Sequence, residues 1–167
     1  MIMKKRSAVL SFIENFKSLV IGSLDEDHHP FSSYAPFVYI NHRFYIFISD
    51  IATHAKNLQA RPHASLFFIE DEASSQNIFA RKRISLQCDV RKISREEALF
   101  ENIMERFESR FGGIVGMLKG MQDFNLYELQ TRSGEATFGF GEAYRIGGVN
   151  MDELVAREGG SGHKEQK

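Results

Sequence analysis

The feature that most constrains this chain lies between residues 18 and 50, "SLVIGSLDEDHHPFSSYAPFVYINHRFYIFISD". Apolar and polar side chains alternate there, interrupted only at "DEDHHP" and "NHR". A period of two puts successive side chains on opposite faces of an extended chain, and short polar turns between such runs make an antiparallel meander. The pattern predicts strands over Ser18 to Leu24, Phe31 to Ile40 and Phe44 to Ser49. The chain has no tryptophan, so its 15 phenylalanines and 5 tyrosines must supply the bulk of the core.

The rest of the chain extends this sheet and caps it. Asp50 to Ala60 reads as a short helix that stops before Pro62, because proline disfavours helix in the residue before it. "ASLFFIED" and "RKRISLQCDVRKI" are the fourth and fifth strands, on either side of the irregular "EASSQN". The period then changes. Ser94 and Glu97 have the spacing of a capping box, and Ala98, Ile103, Phe107 and Phe111 share one helical face. "GGIVGMLKGM" is a weaker, glycine-broken helix. "FNLYELQTRS" and "EATFGFGEAYRI" read as the last two strands, with Gly134 in the turn between them, and "MDELVAR" as a short helical turn. The resulting class is mainly β (α+β), a small antiparallel barrel with flanking helices. Residues 1–148 form the barrel domain. Residues 149–167 hold the helical turn and a Gly-rich tail, "REGGSGHKEQK", which carries His163.

Composition narrows the functional classes. A formal net charge of −1 argues against general nucleic-acid binding, which needs a basic face, and one cysteine, Cys88, cannot form an internal disulfide and suits a reducing compartment. The N-terminal "MIMKKRSAVLSFIENF" is basic then apolar, but Glu14, Asn15 and Lys17 interrupt it at helical spacing, so it reads as a helix rather than a secretory leader. No run is long enough for a membrane span. The expectation is a cytoplasmic protein.

No CxxC, HExxH, Walker loop or GxGxxG is present. His28 and His29, His42 and His63 fall in turns or at a strand start and read as solvated or structural. The glycines of "FGFGEAYRI" are placed inside a strand, where they permit close approach of backbone or ligand. Two constellations carry possible chemistry. In "SDIATHAKNLQARP", Ser49, Thr53, His54, Lys56 and Asn57 gather donors around a helix N-terminus, a natural anion site; the plainer alternative is that Asp50 or Thr53 caps the helix and the others face water. In "ARKRISL", Arg81 and Arg83 share one strand face and Lys82 lies on the other, the face shared with Ile84 and Leu86. The arginine pair can grip carboxylates or phosphate, or simply protect a solvated edge.

The order of "SYAPFVYINHRFYIFISDIATHAKNL", "PHASLFFIED", "ARKRISLQCDV", "RFGGIVGMLKGMQDFNLYEL" and "GEATFGFGEAYRI" resembles the split-barrel, pyridoxamine-phosphate-oxidase-like superfamily, whose members mostly bind flavin mononucleotide (FMN) across a dimer interface. Within it the chain is most similar to the HugZ/HutZ-type haem-utilisation family, over roughly residues 4 to 150. The resemblance implies a homodimer that binds haem near its interface and degrades it with O2 and an external electron donor, releasing iron. It places His163 as the axial ligand of haem iron and Arg83 as a cation beside a propionate or near bound oxygen. Asp123, at the start of "DFNLYEL", becomes the candidate acceptor for the second ring N–H of His163, contributed across the dimer; on residue type alone it is a turn or cap residue. The haem branch generally does not use flavin, but the patch Ser49, His54 and Lys56 is retained, so FMN stays open as a cofactor. Two alternatives to degradation therefore stand: a haem carrier or store, and an FMN-dependent oxidoreductase.

Overall fold

The structure is a computed structural model, and it describes residues 2–148 and 150–157, with side chains from Ala8 onward. The chain runs α1 (Ile2–Glu14), β1 (Ser18–Leu24), β2 (Pro30–Ile40), β3 (Arg43–Ser49), α2 (Thr53–Ala60), β4 (His63–Ile69), two short 3-10 turns, and β5 (Arg83–Ile93). It continues through α3 (Ala98–Phe111), α4 (Ile114–Lys119), β6 (Phe124–Thr137), β7 (Ala143–Gly147) and β8 (Glu153–Ala156). The eight strands form one antiparallel sheet in the order β3-β2-β1-β4-β5-β6-β7-β8, and β3 also pairs with β6. That extra pairing closes β1 to β6 into a barrel and leaves β7 and β8 as an extension. The expected split-barrel class is the observed one.

The alternation explains which faces are buried. Leu19 and Ile21 of β1, Phe37 of β2, Leu66 and Phe68 of β4, and Ile84 and Leu86 of β5 point into the barrel. Phe37, Phe44 and Phe68 meet with ring centroids 5.6 to 5.9 Å apart, in the offset and edge-on arrangements that aromatic quadrupoles favour. The central residues of β3, Phe44 to Ile48, are buried on both faces. Its outward Tyr45 and Phe47 pack under α3 with Phe100, Ile103, Met104 and Phe107, making a second core outside the barrel. Helix α2 covers one end of the barrel and α1 the other, where Phe12 and Phe16 meet Phe138 and Phe68. No helix among the described residues is long and apolar enough to cross a membrane.

Four local expectations are corrected. Gly134 lies within the 14-residue strand β6, opposite Leu86 and Ile146, rather than in a turn. The turn is made instead by Gly139 and Gly141, both at positive φ, which the sequence pattern placed inside a strand. "MDELVAR" contains a strand, β8, and not a helical turn; Leu154 is buried and Val155 exposed, and a piece this short gains more by pairing with the open edge of β7 than by a single helical turn. The capping box does not form, because Ser94 donates to Glu96 and Glu97 is held by Arg91. Ala98 is consequently an exposed first helical residue, and Phe100 and Met104 join the buried face.

Gly134 is where the sheet tolerates least. A Cβ there would lie 2.6 Å from Leu86 Cδ2 and 2.6 Å from the Ser85 carbonyl oxygen. Gly134→Ala is expected to lower stability by about 1–3 kcal/mol through overpacking, with an unchanged denaturant slope. Urea unfolding followed by circular dichroism measures this; an unaltered midpoint would mean that the sheet can open there at no cost.

Candidate functional site

The closing pairing of β3 with β6 ends at Ser49↔Phe124 and brings the β3–α2 connection against the residue before β6. Ser49 Oγ donates to Asp123 Oδ2 at 2.6 Å and accepts from Ile51 N–H at 3.3 Å. Asp50 N–H donates to the Asp123 carbonyl at 2.7 Å. The Asp50 carboxylate is itself shared, accepting from Asn125 Nδ2 at 2.7 Å and from Gln59 Nε2 at 2.9 Å, and Gln59 also donates to Tyr127 OH at 2.8 Å. Burial raises the phenol pKa of Tyr127, so it stays neutral and able to accept. Asp123 is half-buried, and among the described residues its Oδ1 accepts no hydrogen bond. The result is a carboxylate with one oxygen held and the other open.

The same network rearranges the expected anion site. The Asp50 carboxylate is held by Gln59 and Asn125 and Thr53 is already the first residue of α2, so neither caps it; the N-cap is Ala52, which has no side chain able to do so. His54 is half-buried, with Nδ1 at 2.8 Å from Ser33 Oγ on β2. Asn57 is buried and donates to Ser23 Oγ at 3.0 Å, so it anchors the helix to the barrel instead of facing a ligand. Lys56 is exposed on the same helix. Ser49, His54 and Asp123 thus belong to one end of the barrel, with Lys56 on its outer surface.

Arg83 belongs to the other end. The β5–β6 ladder runs from Arg83↔Thr137 to Ile93↔Leu126, so Arg83 and Asp123 are separated by roughly 45 Å of chain at about 3.3 Å per residue. Arg83 is half-buried and donates Nη1–H to the Arg81 carbonyl at 2.9 Å. The expected arginine pair on one strand face is not present, because β5 begins at Arg83. Arg81 instead ties down the preceding loop through the Glu70 carbonyl and an ion pair to Glu72, and Lys82 is exposed. Beside this strand start lies a cavity of about 230 Å³ lined in part by Asn77, Ala80, Lys82, Phe138 and Phe140. Ile78, Phe79 and Phe140 are exposed around it, Phe79 to 85%. A cavity of 230 Å³ is smaller than the ~300–1,000 Å³ of typical small-molecule sites.

His163 lies outside the described residues. Cys88 is buried and its thiol is pushed up to about 12 by burial, so it is not a nucleophile. Asp25, Asp27 and His29 place their ligand atoms within 4.8 Å of one another in the exposed β1–β2 turn, but Asp25 Oδ1 already accepts from both Asp27 N–H and His29 N–H. Sequence reading gave Asp50 only as a possible helix cap and missed Gln59, Asn125 and Tyr127. Each is an ordinary polar residue, and the contacts of this network join residues up to 75 positions apart.

The family model for pyridoxamine 5'-phosphate oxidase matches residues 6–138. The chain is 35% identical to the haem oxygenase HutZ of Vibrio cholerae over 152 residues, covering 91% of this chain and 86% of that protein. A solved structure of Vibrio cholerae HutZ, described as a haem storage protein, superposes with a TM-score of 0.75 at 33% identity, covering 80% of this chain and 96% of the other. Campylobacter jejuni ChuZ gives a TM-score of 0.86 at 28% identity, over 98% of this chain and 67% of that one.

Burial depresses the His54 pKa below its ordinary 6.5. The unfolded chain therefore takes up the proton first, so the stabilisation is complete above the unfolded value and is lost as pH falls through the folded one. Thermal unfolding from pH 8 to pH 5 should show the wild-type protein losing stability more steeply than His54→Gln. Parallel curves for the two proteins would mean that His54 is equally hydrated in the folded and unfolded states.

Proposed function

Because the chain belongs to the pyridoxamine 5'-phosphate oxidase split-barrel family, and within it to the HutZ-type haem-utilisation branch, we propose that it binds haem between two copies of itself and degrades it oxidatively. The observation that carries this reading is Asp123: a half-buried carboxylate, oriented by Ser49, with one oxygen open to an incoming N–H donor. An imidazole that ligates a metal through one nitrogen offers such a donor on the other, and a carboxylate partner raises its basicity. His163, on the Gly-rich tail, is the proposed ligand.

Where the residues lie supports a second copy. Arg83 and Asp123 stand at opposite ends of one barrel, and the cavity beside Arg83 is too small for a porphyrin. Both can serve one haem if Arg83 comes from one protomer and Asp123 from its partner. The residues present fit such a guest: a guanidinium for a propionate, exposed Ile78, Phe79 and Phe140 for the apolar macrocycle, and an open carboxylate for the ligand's N–H. On the outer barrel face Val20, Leu24 and Tyr34 are exposed and available for association.

Haem, when bound, supplies the iron that activates O2 and is itself the molecule oxidised. The protein's part is to hold it: Arg83 fixes an edge, His163 ligates the iron, and Asp123 accepts a hydrogen bond from the other ring N–H of His163 and so orients its ring. Electrons are expected from an external donor, since the chain carries no reductase motif. The description of one HutZ structure as a storage protein favours a haem carrier as the second reading. The uncapped start of α2, beside Ser49, His54 and Lys56, keeps FMN as the family's alternative cofactor.

Mixing the purified protein with haem and ascorbate under air separates these readings. Degradation predicts loss of the Soret band with formation of a ring-opened product; a stable Soret band means storage, and a protein that purifies yellow means flavin. His163→Ala should change the ferric spectrum, and Arg83→Ala should fold normally but bind or consume haem less well by roughly tenfold. Wild-type spectra and rates in both variants would remove these residues from the site.

A further inference from the structure

Asp123 lies in the short segment between α4 and β6, where no strand or helix holds the main chain. A residue so placed needs its backbone fixed by something else if its carboxylate is to keep one orientation. Arg95, between β5 and α3, does this together with the Asp50 N–H that donates to the Asp123 carbonyl. Its Nη1–H donates to the Lys119 carbonyl at 2.9 Å, and Nη2–H donates to the Met121 carbonyl at 3.0 Å and the Phe124 carbonyl at 2.8 Å. The guanidinium therefore grips the chain on both sides of Asp123. Its own plane is set by the Phe100 ring, whose centroid is 5.2 Å from Cζ.

Ser49 completes the arrangement at the side chain. Because Ser49 Oγ accepts from Ile51 N–H, its hydroxyl proton is directed at Asp123 Oδ2. We infer that Arg95 and Ser49 act as a pair of positioning residues for Asp123: Arg95 clamps the main chain from Lys119 to Phe124, and Ser49 sets the carboxylate so that one oxygen points to an incoming donor. This rests on the reading of Asp123 as the partner of a metal-bound imidazole. It also reassigns Ser49, which the sequence pattern grouped with an anion site, from contacting a ligand to orienting a residue that does.

Arg95 does not resemble a site residue in the sequence. A fork of fixed N–H donors meeting three carbonyls is a geometry that lysine cannot reproduce, since its ammonium is a single point on a flexible stem. Arg95→Lys therefore keeps the charge and most of the packing on Phe100 while opening the clamp. Ser49→Thr keeps the hydroxyl, whereas Ser49→Ala removes it.

The test has a haem-free arm and a haem-loaded arm, both on the full chain. Without haem, amide hydrogen exchange over residues 121–125 should speed up by roughly tenfold in Arg95→Lys while the β4 and β5 amides keep their protection. Unchanged exchange over 121–125 would overturn the clamp. With haem, Ser49→Ala should move the iron–histidine stretch in resonance Raman in the same direction as Asp123→Asn, Ser49→Thr should restore it, and Ser49→Ala should add nothing in an Asp123→Asn background. An additive effect in that background, or equal losses in Ser49→Ala and Ser49→Thr, would overturn the assignment of Ser49. If the wild-type protein takes up no haem, the functional reading fails while the haem-free arm still decides the clamp.

Discussion

The pairing of β3 with β6 is the contact on which the rest of this molecule depends. Six rungs, from Phe44↔Leu129 to Ser49↔Phe124, turn an open sheet into a barrel and join segments far apart in sequence. They bury β3 on both faces, which is why its sequence "RFYIFIS" is apolar nearly throughout. The final rung sets Ser49 beside Asp123 and lets Asp50 serve Asn125 and Gln59 together. Forming such long-range rungs carries a loop-closure cost, which the two hydrophobic cores on either side of β3 offset.

That same dependence explains how much could be read before the structure was known. The first three strands have the boundaries their alternation suggests to within one residue, because period two is a local signal that half-buried strands enforce. Gly134 misled because a glycine required for close packing looks like a glycine required for a turn; the difference lies in Leu86 and Ser85, nearly fifty residues away. Ser94 and Glu97 have the right spacing for a cap, yet Arg91 takes the Glu97 carboxylate. Ser49, His54 and Asp123 were legible as polar residues near element ends, but their grouping was not. Arg95 gave no signal at all, since its partners are main-chain carbonyls.

The barrel thus has two chemically different ends. One is closed by α2 and offers a fixed carboxylate, with His54 against Ser33 nearby. The other is closed by α1 and presents Arg83 beside an apolar rim. A single chain keeps them apart by the length of β6, so the proposed haem site would need each of two protomers to supply half of it. A split barrel suits that arrangement, because β7 and β8 extend the sheet from β6 while the exposed Val20, Leu24 and Tyr34 lie on β1 and β2.

Complementation between two impaired variants tests this account most directly. Arg83→Ala and Asp123→Asn are each prepared, mixed under conditions that exchange protomers, and assayed for haem consumption with ascorbate. If each site takes Arg83 from one protomer and Asp123 from the other, every mixed dimer has one intact site, and random exchange restores about a quarter of the wild-type rate. If the mixture is no more active than the two variants measured separately, the shared site does not exist and the account is contradicted.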